Sequence, residues 1–261
     1  MKEPFKTIRA EVTGNICRVR IDRPEKNNAI NTQLITELAS IVALCKDGMR
    51  EIPITILVLE GSPDIFCAGG DFDEMNDKIK QGGLESPDPN PLYNLWLDFM
   101  HSSFITISVV RGRVNAGGLG FVAASDIVLA DKSASFSLSE LLFGLFPACV
   151  LPFLSNRIGR QKSHYMTLMT RVFTAEEALN MGLVDVLGDS TEVLLRAHLN
   201  RLQRISKTSI CQYKKYCSEI FDQPIRDKQI AISANQLLFK DPINLKNISR
   251  YIEESKFPWE K

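Results

Sequence analysis

The chain has 261 residues, enough to bury one large core, and it balances 31 basic against 31 acidic side chains. Zero formal net charge leaves no basic face that demands nucleic acid or an anionic membrane. The opening residues Met1–Lys6 lack the apolar run of a secretion signal, and the longest greasy stretch, Leu141 to Leu154, is too short and too broken by Pro147 and Pro152 to span a bilayer.

Taken in chain order, Ile8, Ala10 and Val12 alternate with Thr7, Arg9 and Glu11. After Thr13-Gly14-Asn15, Cys17, Val19 and Ile21 alternate with Arg18, Arg20 and Asp22, which predicts a half-buried hairpin. Leu34, Ile35, Leu38, Ile41, Val42 and Cys45 fall on one helical stripe, with Asn31 placed as its N-cap. Buried strands follow at Ile54–Leu59, Phe104–Val110 and Ile127–Ala130, each near a glycine-bearing segment, so the first half reads as an α/β core of repeated βαβ-like units. No repeat is visible in the sequence itself. The stretch Gly82–Asn94, with two glycines and Pro87, Pro89 and Pro91, predicts a loop able to serve as a lid. From Leu151 onward helical patterns dominate. One helix opens on a capping box, Thr174 with Glu177, and ends at Gly182; Thr191 to Phe239 reads as two or three more. This divides the chain into a core over 1–190 and a helical subdomain over 191–261, which must pack on the core or on another subunit.

Two segments carry chemistry. Phe66-Cys67-Ala68-Gly69-Gly70-Asp71-Phe72 follows the strand ending at Leu59, and Gly112-Arg113-Val114-Asn115-Ala116-Gly117-Gly118-Leu119-Gly120 follows the strand ending at Val110. Backbone N–H groups in such loops can hold the negative charge of an enolate, and glycine lets the backbone come close to it. Taken alone, these glycines need do no more than turn the chain. Glu140 stands at the edge of an apolar run, where desolvation raises a carboxyl toward the range useful for proton transfer. Alone, a helix-starting glutamate beside Ser139 is the commoner explanation. Cys67 has no histidine in either segment and reads as packing. His101, His164 and His198 are isolated, with no Ser-His-Asp pattern. The six cysteines show no metal-like spacing and suit a reducing cytoplasm.

These segments in this order, with Arg23-Pro24 and Asn28-Ala29 before the first helix and Ala178–Asp185 beyond, resemble the enoyl-CoA hydratase/isomerase (crotonase) superfamily over nearly the whole chain. The resemblance implies an α/β crotonase (ClpP-like) spiral of ββα units with a C-terminal helical subdomain. It implies an acyl thioester substrate, an oxyanion hole from the N–H groups of Gly70 and Gly117, substrate contacts at Ala68, Asp71 and Phe72, and proton transfer by Glu140. Asp71 also suits a role in ordering its loop. No metal is expected, and no cofactor beyond the phosphopantetheine arm that the substrate carries. The family further implies a homotrimer or a dimer of trimers, with the tail after Thr191 at the interface.

The chain also departs from the family. Two-carboxylate hydratases carry one glutamate three residues after the middle glycine of the second loop and another about twenty residues later. Here the first position is Gly120 and the second is Glu140. After Phe146-Pro147, where the family continues with glycines, the chain reads Ala148-Cys149-Val150-Leu151-Pro152-Phe153-Leu154. That segment, with both loops, resembles the first crotonase homologue of polyketide β-branching cassettes. The implied reaction is dehydration of 3-hydroxy-3-methylglutaryl-ACP to 3-methylglutaconyl-ACP, with an acyl carrier protein (ACP) as partner. Arg23, Lys26, Lys214 and Lys215 are the candidates for a basic patch facing it. Open beside this reading stand a decarboxylase of 3-methylglutaconyl-ACP, a CoA-dependent hydratase or isomerase, and a non-catalytic or RNA-binding crotonase scaffold.

Overall fold

The computed structural model describes residues 5–46, 51–74, 88–254 and 256–260. The hairpin forms as its alternation predicts: β1 (Ile8–Thr13) and β2 (Ile16–Ile21) pair antiparallel, Ile8 opposite Ile21. From β2 the main sheet continues in parallel through β3 (Ile56–Glu60), β5 (Ile105–Val110), β7 (Ile127–Asp131) and β10 (Val186–Gly188). A second sheet runs β4 (Ile65–Cys67), β6 (Arg113–Asn115), β8 (Ser135–Ser137), β9 (Phe173–Thr174), parallel except at β9. Strands β3, β5 and β7 are each followed by a short strand of the second sheet. The repeat expected from the resemblance is therefore structural, two strands and a helical segment per turn of a spiral.

Helix α1 (Thr32–Lys46) buries Leu34, Leu38, Ile41, Val42 and Cys45, and the Asn31 side chain accepts the Leu34 N–H at 2.9 Å. All five residues of β3 are buried, as a strand covered on both faces requires. Helix α2 (Asn90–His101) corrects one expectation: Asn90–Asn94, placed in a loop by its prolines, is helical. Pro91 lies in the first turn, where its missing N–H removes no intrahelical bond. The rest of the anticipated lid, up to residue 87, lies outside the described residues. Helix α3 (Gly118–Ala124) follows the second glycine segment, and every residue in it is buried.

The second half holds α4 (Leu151–Ile158), α5 (Arg160–Met169), α6 (Ala175–Met181), α7 (Thr191–Leu202), α8 (Lys207–Ile220), α9 (Gln223–Leu238) and α10 (Pro242–Glu254). The capping box is complete, Thr174 Oγ1 accepting from Glu177 N and Glu177 accepting from Thr174 N. The tail packs on its own core. Tyr93 donates its hydroxyl to the Pro224 carbonyl at 2.6 Å, and Ile248 joins Phe143 and Leu145 in a small apolar cluster. Among the described residues no helix is long and apolar enough to cross a membrane.

Candidate active site

The first glycine segment is strapped down by the chain that precedes α1. Ile30 donates its N–H to the Gly69 carbonyl (2.7 Å) and accepts from Asp71 N (2.9 Å), while Ala68 N donates to the Asn27 carbonyl (3.1 Å). Asp71 is buried against Arg23 (2.9 Å), and its second oxygen accepts the Glu74 N–H (3.2 Å), the loop-ordering and capping role its position suggested. Gly69 has φ +97°, and a Cβ there would meet that of Ala116 at 2.9 Å, so the two loops touch where only glycine fits.

The second segment carries backbone strain. Ala116 has φ +48°, a left-handed conformation whose cost for a non-glycine residue is about 1–3 kcal/mol. It is over-determined by its surroundings. Ala116 N donates to the Ser137 carbonyl (3.0 Å), and the Asn115 side chain donates to Ser139 Oγ (3.1 Å) while accepting from Ser137 Oγ (2.9 Å). This turn aims Gly117 at the first loop: a Cβ on Gly117 would lie 4.0 Å from Gly70 N. Among the described residues neither the Gly70 nor the Gly117 N–H is given to another group of the chain. Two adjacent, free backbone donors are what an oxyanion requires.

Glu140 opens a 3-10 turn, Glu140–Phe143, directly after the Ser139 that Asn115 braces. Its Oε2 is shut away from solvent with no hydrogen-bond partner. Burial pushes its carboxyl up to about 7, against the smaller opposing pull of the Glu140 and Ser139 N–H groups. A carboxyl at that level exchanges protons readily at neutral pH.

Gly70, Gly117 and Glu140 all line one pocket of about 420 Å³. Asp71 and Phe72 line it as well, while Ala68 does not; its carbonyl faces Asn115 Nδ2 at 3.4 Å instead. The Leu145–Val150 segment forms part of the wall, where the glycine run would have been, and Asn235 and Phe239 of α9 reach in from the helical tail. A side chain at position 120 has no room, because its Cβ would fall 2.3 Å from the ring of Trp96, which also borders the pocket. The missing first glutamate is thus replaced by an indole.

Several candidates resolve differently. Lys214 is buried, its ammonium on Asp126 (2.7 Å) and the Phe104 carbonyl (3.0 Å), so it belongs to the core and not to a docking patch. Arg23 is likewise buried, and Lys26 is paired with Asp73 at 2.8 Å; of the four, Lys215 alone is exposed without a described ion pair. Cys67 is fully buried, its thiol pushed up to about 12, consistent with packing and not with a nucleophile. Trp96, Asn115, Ser139, Asn235 and Phe239 were not foreseen as site residues. Only the Leu92–Trp96 spacing, one helical turn along a pocket-facing stripe, offered a signal for any of them.

The spiral, the paired glycine loops and the buried Glu140 carboxyl beside them define a fold and site of the crotonase type. The comparisons agree: residues 11–261 match the enoyl-CoA hydratase/isomerase family, and the chain belongs to it. It is an enzyme of the hydro-lyase class. It is 48% identical to the bacillaene synthase dehydratase PksH of Bacillus subtilis, over 98% of this chain and 97% of that protein. The crystal structure of a polyketide biosynthesis enoyl-CoA hydratase (pksH) from Bacillus subtilis superposes with a TM-score of 0.94 at 48% identity, covering 98% of this chain and all of the other. A more distant relative, the mitochondrial enoyl-CoA hydratase of Dictyostelium discoideum, is 30% identical over 74% of this chain and 68% of its own length.

Proposed function

We propose that this enzyme dehydrates 3-hydroxy-3-methylglutaryl-ACP to 3-methylglutaconyl-ACP in polyketide β-branching. The observation that carries the reading is one carboxylate, Glu140, with an oxygen shut away from solvent, in the same pocket as two free N–H donors and with no second acid at position 120. The thioester carbonyl oxygen sits between the Gly70 and Gly117 N–H groups, beside Phe72. Glu140 takes the C2 proton, and the enolate charge rests on that oxygen. The C3–O bond then breaks, the electron pair forms C2=C3, and Glu140 returns the proton to the departing hydroxyl, which leaves as water. One carboxylate serving both steps requires that both groups leave from one face of the acyl chain. No Lys, Arg or His among the described residues lines the pocket, so the distal carboxylate meets neutral donors such as Asn235. No cofactor is needed beyond the phosphopantetheine arm, and the scattered free cysteines suit a cytoplasmic setting.

The test is mass spectrometry of acyl-ACP after incubation with wild type and Glu140→Gln. Loss of water with wild type, and a loss slowed by about 10²–10⁴-fold in the variant, is the expected pair of results. Loss of carbon dioxide makes the enzyme a decarboxylase, and a variant within about threefold of wild type removes Glu140 from the mechanism. ACP-bound substrate is expected to outcompete the CoA form at low ionic strength, with the margin shrinking as salt is added; equal kcat/KM at low salt points to a CoA-dependent enzyme. Tyr213, Tyr216, Phe221, Ile230 and Leu237, exposed on or just after the tail helices, suit burial in a homotrimer or dimer of trimers. Light scattering that finds a stable monomer at micromolar concentration rules the assembly out.

A further inference from the structure

Five buried side-chain polar atoms lack a hydrogen-bond partner among the described residues, and two of them belong to groups bordering the same pocket: Glu140 Oε2 and Trp96 Nε1. The first is accounted for by proton transfer. The second is not. A buried indole N–H without an acceptor is costly and uncommon, because the ring gives up water and receives nothing. Trp96 is 1% exposed, and its ring is wedged edge-on against Phe121 (centroids 6.0 Å) and Phe153 (5.6 Å), which limits any swing toward another acceptor. Its Cε2 and Cζ2 lie 2.3 Å, and its Cη2 2.7 Å, from where a Cβ at position 120 would be. The six-membered edge of the indole therefore fills the place a second acid would enter, and the unpartnered N–H is attached to that edge at Cε2, in a residue that lines the pocket.

We infer that the Trp96 indole N–H donates a hydrogen bond to the C3 hydroxyl oxygen of the bound 3-hydroxyacyl thioester and holds the leaving group toward Glu140. The inference rests on the dehydration reading given above. The indole keeps its proton throughout. Glu140 supplies the proton that leaves with the hydroxyl, and the N–H stabilises the charge that gathers on the departing oxygen. A donor that does not titrate suits this place, because an ionised second carboxylate would repel both Glu140 and that oxygen.

The chain has two tryptophans, Trp96 and Trp259, so ¹⁵N-tryptophan labelling gives two indole signals, assigned with Trp259→Phe. The titration is run in the Glu140→Gln background, where bound substrate persists. The probes are 3-hydroxy-3-methylglutaryl-pantetheine and 3-methylglutaryl-pantetheine, which lacks only the hydroxyl. The Trp96 indole proton is expected to move downfield with the first probe and not with the second. Affinity for the hydroxylated probe should exceed that for the other by about 3- to 10-fold, and the ratio should fall to about one in Trp96→Phe. A merely structural role would weaken both probes equally. An indole signal unmoved by either probe, or moved alike by both, overturns the assignment, and it does so even if Trp96→Phe fails to fold. Undiminished turnover by Glu140→Gln would instead sink the dehydration mechanism, so the two failures are separable.

Discussion

Glu140 makes its strongest prediction as a source of instability. Its carboxyl has an ordinary value of 4.5 and is pushed up to about 7 in the folded protein, so folding binds a proton between those values. Below pH 4.5 the group is neutral in both states and contributes nothing. As pH rises through 4.5 the unfolded chain ionises while the folded one resists, and stability falls until the folded carboxyl ionises near pH 7. At 1.36 kcal/mol per pKa unit, the full loss is about 3 kcal/mol. Glu140→Gln removes the titration, and its own amide desolvation is the same at every pH. The difference in unfolding free energy, variant minus wild type, should therefore rise by about 2–3 kcal/mol between pH 5 and pH 8. Urea unfolding at both pH values measures it, and all other titrating groups cancel between the two proteins. A difference that stays flat with pH would refute the claim that burial of Glu140 sets its proton affinity, and with it the link between poor solvation and activity. A protein that becomes sturdier and inert by one isosteric change would carry its catalytic cost at a single atom.

Three other outcomes follow. The kcat/KM for dehydration should climb about tenfold per pH unit below pH 7 and level off above it, because the free enzyme must present Glu140 ionised; an inflection near 4.5 would mean the carboxyl is hydrated before substrate arrives. Gly120→Ala gains about 1 kcal/mol of helix propensity but drives a methyl into the Trp96 ring, so net destabilisation of about 1–2 kcal/mol is expected, seen as a lower urea midpoint; a midpoint at or above wild type would show the ring is free to move. Asn115→Ala unties the Gly117 turn from Ser137 and Ser139, and should lower kcat about tenfold or more while KM changes little, measured by steady-state kinetics with acyl-ACP.

The legible parts of the chain were those that repeat. The β1–β2 alternation, the α1 stripe behind Asn31 and the Thr174–Glu177 capping box all carry a period or a local bond pattern within a few residues. Strands β4, β6 and β8 have three residues each, too few for any period to register, although they bring the two loops and Glu140 together. Glu140 stood out only because the motif around it was known. Trp96 could not have been paired with Gly120 without the fold, since the clash exists only once α2 crosses α3. Lys214 was misread for a related reason: beside Lys215 it looks like one of two surface charges, yet it reaches Asp126, 88 positions earlier in the chain.

The small apolar cluster beside the Glu140–Phe143 turn has a consequence for how the enzyme comes into being. Phe143 sits edge-on to Tyr251 (5.1 Å) and stacks on Phe257 (5.8 Å), and its carbonyl accepts from Asn247, 104 positions downstream. During synthesis, Glu140 and both glycine loops leave the ribosome long before these partners are made. Contacts this far apart in sequence form late. A nascent chain therefore holds Glu140 and both glycine loops while Phe143 and Leu145 lie bare and the pocket lacks the wall that Asn235 and Phe239 supply. Burial of the Phe143 turn and closure of that wall therefore both wait on the later helices.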